Sequence, residues 1–124
     1  MPYRKWQATA RAFMYQHIVS ADSLAWSPLD FPGVFMRVVY QDGRTDGMTV
    51  MTRLEPGASI PAHRHTHADE TVFVLAGDFV EAGTSHGAGS YFVASAGTLH
   101  GPHESRTGCV VLTTFSAALD FQLV

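Results

Sequence analysis

At 124 residues the chain can bury one hydrophobic core and is too short for two. Apolar residues make up 46% and charged residues only 15%, against about 25% charged in an average domain, which excludes a disordered chain and leaves surface to be hidden in an oligomer. A net charge of -3, with eight scattered Lys and Arg, excludes the basic footprint of a nucleic-acid or anionic-membrane partner, and the single Cys109 excludes an internal disulfide framework.

No apolar run approaches the roughly 20 residues of a membrane span. Arg4 and Lys5 are followed by a stretch too polar for a signal-peptide core. The expectation is a cytoplasmic protein. Residues 1–30 form an N-terminal segment in which Trp6, Ala10, Phe13, Met14 and Ile18 fit a helical stripe, while residues 13–19 fit an edge strand equally well. This segment is expected to pack on the body of the domain or to swap into a partner. Ser27-Pro28 and Phe31-Pro32-Gly33 then read as turns.

From there, short β-rich runs alternate with turn residues. Residues 34–40 are β-branched and aromatic, and Asp42-Gly43 supplies a hairpin-type turn. Residues 49–54 alternate in polarity until Glu55-Pro56-Gly57 ends them. Residues 71–75 form a strand closed by Gly77-Asp78, with 79–81 returning. Gly87-Ala88-Gly89 turns into 90–94, Ala96-Gly97 turns again, and 109–115 is the last strong strand. With no apolar stripe of helical period after Gly33, the prediction is an all-β sandwich or small barrel occupying residues 31–124.

The histidines are clustered. His63, His65 and His67 fall within five positions, and His86, His100 and His103 follow. Side chains alternate along a strand, so His63 and His65 share a face and can converge on one metal ion. Glu70 has the opposite parity, so a bend within residues 66–69, expected at Ala68-Asp69, is required to bring its carboxylate to the same point. Farther on, the turns at Gly89 and Gly97 can return His100 to that pocket. Imidazoles with one carboxylate suit Fe, Mn, Ni, Cu or Zn and match the all-oxygen shells of Ca or Mg poorly. His67, His103 and Glu104 are candidates for moving a proton at the pocket mouth. His17 and His86 read as surface residues, and Cys109 reads as core filling. Arg53 fits either the barrel interior, facing a substrate carboxylate, or the solvent side of its strand.

The pattern G-x5-H-x-H-x4-E-x6-G, realised by Gly57, His63, His65, Glu70 and Gly77, resembles the first signature motif of the cupin superfamily. Gly89, Gly97 and His100 resemble the second, with Ser95 where proline is usual and Glu104 where asparagine is usual. The resemblance covers residues 33–115 and implies a jelly-roll β-barrel with the metal inside, held by His63, His65, Glu70 and His100. Trp26-Ser27-Pro28, Pro32-Gly33, residues 53–57 and residues 88–91 are similar to single-domain cupins grouped with the anti-sigma-factor metal domain and with acetylacetone and dihydroxyacetophenone dioxygenases. The diketone-cleaving members use histidines without the glutamate. The resemblance therefore implies a metal-dependent enzyme acting on a small molecule: with Fe(II), a dioxygenase for an enolisable carbonyl or phenolic compound; with Zn, Mn or Ni, a lyase, isomerase or cyclase. A non-catalytic metal sensor is the reading from another class. Few charges protect the edges of so small a barrel, so a homodimer is expected.

Overall fold

The computed structural model describes residues 14–124, so Trp6, Ala10 and Phe13 of the helical stripe lie outside the described residues. Residues 14–19, with Met14 and Ile18, take neither helix nor strand. In chain order the elements are a 3-10 turn (Ala21–Ser23), β1 (Ser27–Pro28), β2 (Val34–Gln41), β3 (Met48–Leu54), β4 (Ser59–Ile60), β5 (His63–Arg64), β6 (Glu70–Glu81), β7 (Thr84–Gly87), β8 (Tyr91–Ala94), β9 (His103–Glu104), β10 (Cys109–Phe115) and β11 (Gln122–Leu123). The all-β prediction holds. No helix among the described residues is long and apolar enough to cross a membrane.

Alternation decides which faces meet. In β3, Val50, Thr52 and Leu54 are buried while Met51 and Arg53 turn outward, and in β10 Cys109, Val111 and Thr113 do the burying. The strands run β1-β2-β3-β10-β6-β9-β4, with β7 and β8 also on β6, and every pairing is antiparallel. The sheet curls into a jelly-roll half-barrel around Val34, Leu54, Val72, Val74, Phe79 and Val111. Cys109 belongs to this core, and burial pushes its thiol up, away from the nucleophilic thiolate.

One predicted boundary needs correction. Residues 71–75 and 79–81 are not two strands joined by a turn at Gly77-Asp78 but the two halves of β6. Val111 pairs with Val74 and Val110 with Ala76, which leaves Leu75 as the extra residue of a bulge. Beyond it Gly77 lies so close to β10 that a Cβ would stand 1.9 Å from the Gly108 carbonyl oxygen. The glycine that reads as a turn is therefore a close backbone crossing. The first half of β6 pairs with β10 and β8, the second with β7 and β9. The segment leading into β1 is held on the outer face, where the guanidinium groups of Arg37 and Arg53 lie over the Trp26 ring, 4.2 and 4.8 Å from its centroid.

Candidate metal centre

Three chain segments deliver the polar groups of the cluster. β5 supplies His63, and the residue after it is His65; both are buried, at 3% and 4% exposure. Residues 65–69 then leave the strand, with bends at Thr66 and His67, before β6 begins at Glu70. That irregular stretch is the bend the parity argument requires, two residues earlier than the expected Ala68-Asp69. It is pinned from several sides: Thr66 donates its N–H and hydroxyl to the Asp120 carboxylate, the Asp69 N–H donates to Ser116 Oγ, and the Ala96 N–H donates to Asp69 Oδ1. His100 is brought back by a two-way backbone bridge with His63.

The result is a tight convergence. Nitrogen atoms of His63, His65 and His100 all lie within 4.8 Å of one another. His63 Nε2 and His100 Nε2 are 3.0 Å apart, while Glu70 Oε2 is 2.9 Å from His65 Nε2 and 3.5 Å from His100 Nε2. For metal–ligand distances near 2.1 Å, neighbouring donors lie about 3.0 Å apart at right angles and about 3.4 Å apart in a tetrahedron. The spacings fit a bound divalent cation.

The protonation pattern fits as well. Nδ1 of His63 lies 2.6 Å from the Pro61 carbonyl, and Nδ1 of His65 lies 2.6 Å from the Asp120 carbonyl. A carbonyl only accepts, so each Nδ1 carries the proton and each Nε2 offers a lone pair inward. Burial pulls the His63 pKa down to about 4, the Pro61 bond opposing it and neighbouring imidazoles reinforcing it. His100 is lowered too, chiefly by burial. His65 differs: burial works against its proton, but Glu70 and the Asp120 carbonyl outweigh it and the pKa rises. Although close to His65, Glu70 Oε2 is off the axis of any N–H bond and has no hydrogen-bond partner. A buried carboxylate oxygen facing lone pairs calls for a cation.

Beside this cluster lies a cavity of about 300 Å³, walled mainly by apolar side chains such as Leu29, Phe31, Val50, Phe115, Leu119 and Phe121. Phe121 stacks on the His63 ring with centroids 4.1 Å apart. A smaller cavity of about 170 Å³, bordered by Phe92, Thr98, Glu81 and His100, adjoins the cluster. Glu70 and His103 border both.

Of the candidate proton carriers, only His103 reaches the interior. It is 8% exposed, with Nδ1 2.5 Å from Glu81 Oε2. Glu104, its neighbour in β9, has the opposite parity and is exposed, and His67 sits exposed in the bend. Neither borders either cavity. His17 is exposed and His86 half-buried, away from the cluster, and Arg53 is on the outer face against Trp26 and Phe35. Sequence reasoning missed Glu81, Asp120 and Phe121. Glu81 is held below the usual carboxylate range because His103 and the Gly101 N–H outweigh its burial. Nothing in the local sequence marks these three, whose partners lie 20 or more positions away.

Solved structures repeat the architecture. RemF, a polyketide cyclase from Streptomyces resistomycificus, superposes with a TM-score of 0.74 at 16% identity, over 89% of this chain and 86% of that one. An acetylacetone dioxygenase from Acinetobacter johnsonii gives 0.71 at 20% identity, over 88% and 78%. KdgF from Halomonas sp. gives 0.66 at 24% identity, over 78% and 92%. At these identities the likeness is one of fold. No curated protein matches the chain. The profile of the ChrR cupin-like domain matches residues 14–118, most of the chain, and carries the metal-site segments with it. The protein therefore belongs to the ChrR cupin-like domain family of the cupin superfamily.

Proposed function

We propose that the protein is a metal-dependent enzyme for a small, largely apolar substrate, with His63, His65, Glu70 and His100 holding the metal, and that its reaction is the dioxygenation of an enolisable carbonyl or phenolic compound. The observation that carries this reading is the meeting of three imidazole nitrogens and an unpartnered buried carboxylate oxygen at the wall of an apolar cavity. A divalent cation there supplies a Lewis acid and, if it is Fe(II), redox chemistry with O2. Three neutral imidazoles and one carboxylate leave the centre about one positive charge, which favours an anionic oxygen ligand such as an enolate or phenolate. The chain's own part begins with Leu29, Phe31, Phe115 and Phe121, which exclude water and orient the apolar part of the substrate. His103, on the same wall, accepts the proton that an enolisable substrate loses as it binds.

A non-redox cyclase or lyase is the second reading. It is favoured by the carboxylate donor Glu70 and by the acid–base pair of His103 and Glu81 beside it.

Anaerobic metal analysis of untagged protein, followed by oxygen-uptake screening against β-diketones, hydroxyacetophenones and catechols, separates the readings. Stoichiometric iron with substrate-dependent uptake is expected. Tight zinc without uptake moves the assignment to the cyclase or lyase, and failure to bind any divalent metal ends both. We also propose that the protein works as a homodimer through the exposed apolar strip of Phe73, Leu75, Tyr91 and Val93 on β6 and β8. A concentration-independent monomer in sedimentation equilibrium would contradict this.

A further inference from the structure

The last residue of β6 takes no part in metal holding, yet it is tied to two segments of the site. Glu81 Oε1 accepts the Gly101 N–H at 2.7 Å, directly after His100, and Glu81 Oε2 lies 2.5 Å from His103 Nδ1. The second contact is bent away from the ring's N–H axis and is not a regular hydrogen bond, and Nδ1 has no hydrogen-bond partner elsewhere. At His65 the Asp120 carbonyl already holds the ring proton on Nδ1, whereas no carbonyl holds that of His103, and a bare Nδ1 lone pair would repel the carboxylate oxygen beside it, so the ring proton of His103 is placed on Nδ1. Both carboxylate oxygens are thus committed, one to the loop that returns His100 and one to His103.

We propose that Glu81 is a positioning residue that fixes His103 as its Nδ1–H tautomer and so presents an unprotonated Nε2 to the cavity. The inference rests on reading His103 as the proton carrier of the site. A neutral histidine accepts a proton only at its bare nitrogen, and the hydrogen bond made by the other nitrogen decides which one that is. With Nδ1 engaged by Glu81, the bare nitrogen is Nε2. Were the proton on Nε2 instead, His103 could only donate, and an incoming enolisable substrate would find no base in that side chain. The Gly101 bond restrains the carboxylate itself, so the ring meets a fixed acceptor rather than a mobile one.

The chemistry of glutamine makes this testable. In Glu81→Gln the Gly101 N–H still requires an oxygen acceptor, so the amide oxygen stays with Gly101 and the NH2 group turns toward His103. An NH2 group donates, which forces Nδ1 to accept and moves the ring proton to Nε2. Long-range proton–nitrogen spectra of 15N-labelled protein, recorded above the histidine titration range with and without zinc, report the tautomer directly. His103 is assigned by the signals lost in His103→Gln.

In the native protein the protonated nitrogen of His103 is expected to be Nδ1, and in Glu81→Gln the two nitrogen signals exchange character while zinc affinity stays within about tenfold of native. A native His103 protonated on Nε2 overturns the proposal without any variant being needed. So does an unchanged tautomer in Glu81→Gln, or a larger loss of zinc affinity, which would make Glu81 a support of the metal rather than of His103. If the protein takes up no divalent metal, the proposed function fails while the metal-free spectra still decide the role of Glu81.

Discussion

Glu70 opens β6 and Glu81 ends it, an odd number of positions apart, so in an unbroken strand one carboxylate would face the core and the other the solvent. The bulge at Leu75 changes the parity and the crossing at Gly77 bends the strand, and both carboxylates end beside the same small cavity. Their environments differ. Glu70 Oε2 is buried, faces imidazole nitrogens and has no hydrogen-bond partner, whereas Glu81 accepts the Gly101 N–H at Oε1 and holds Oε2 2.5 Å from a single imidazole nitrogen, His103 Nδ1. A carboxylate with an uncommitted buried oxygen is a cation ligand in waiting, and one whose oxygens are already committed is a support for its neighbours. On the proposed reading, the two halves of one strand divide metal holding from side-chain orientation.

The largest effects should come from the first half and its partners. His63→Ala and Glu70→Gln are expected to lower zinc affinity by more than about 100-fold in a competitive chelator titration, beyond what losing an outer hydrogen-bond partner costs. Glu81→Gln is expected to leave that affinity nearly unchanged. Equal losses in Glu70→Gln and Glu81→Gln would erase the distinction between the halves.

Next comes the joint between them. Gly77 has φ +80°, and a Cβ would strike the Gly108 carbonyl. Gly77→Ala is therefore expected to destabilise the fold by at least about 3 kcal/mol in urea unfolding. If the substitution costs little, the strand bends by some means other than this crossing.

The residue just past the joint gives a pH-dependent effect. Asp78 accepts from the Thr107 hydroxyl, the Arg106 and Thr107 N–H groups and the Ser105 hydroxyl, and these bonds hold its carboxyl well below the usual carboxylate range. A depressed folded-state pKa stabilises the protein above the unfolded value, near about 3.9, and that contribution is lost as pH falls toward the folded value. Asp78→Asn should therefore lower Tm at neutral pH, with the gap from native narrowing below about pH 4. A gap that stays constant through acid would mean that the charge is not what Asp78 contributes.

The smallest effects are expected at the exposed positions. His67→Ala and Glu104→Ala should change stability by less than about 0.5 kcal/mol and leave zinc affinity at the native level. Loss of metal in His67→Ala would bring the bend into the site.

Much of the fold was legible because alternation is a local property. Residues 34–40, 49–54 and 109–115 announce β2, β3 and β10 through β-branched residues at period two, each ended by turn residues. The shared face of His63 and His65 was legible through parity and the parts of Glu70 and His100 through the cupin-motif resemblance; parity demands a bend before Glu70, which lies at Thr66 and His67 and not at Ala68-Asp69. The reading of Gly77-Asp78 as a turn failed because glycine serves a reversal and a close crossing equally well, and only the position of Gly108 distinguishes them. His103 and Glu104 read alike as proton carriers in the sequence, and the inward parity of β9 separates them.

The amino-acid order alone determined an all-β fold and the shared face of His63 and His65, since both follow from side-chain periodicity, while the barrel and the full set of residues able to gather around a cation came from the resemblance to the cupin motifs. Tertiary structure decided what surrounds them. The Asp120 carbonyl on His65, the Phe121 ring on His63 and the Glu81 carboxylate on His103 each join positions far apart in the chain. Such contacts depend on how the sheet curls, bulges and closes, and a local pattern does not record that.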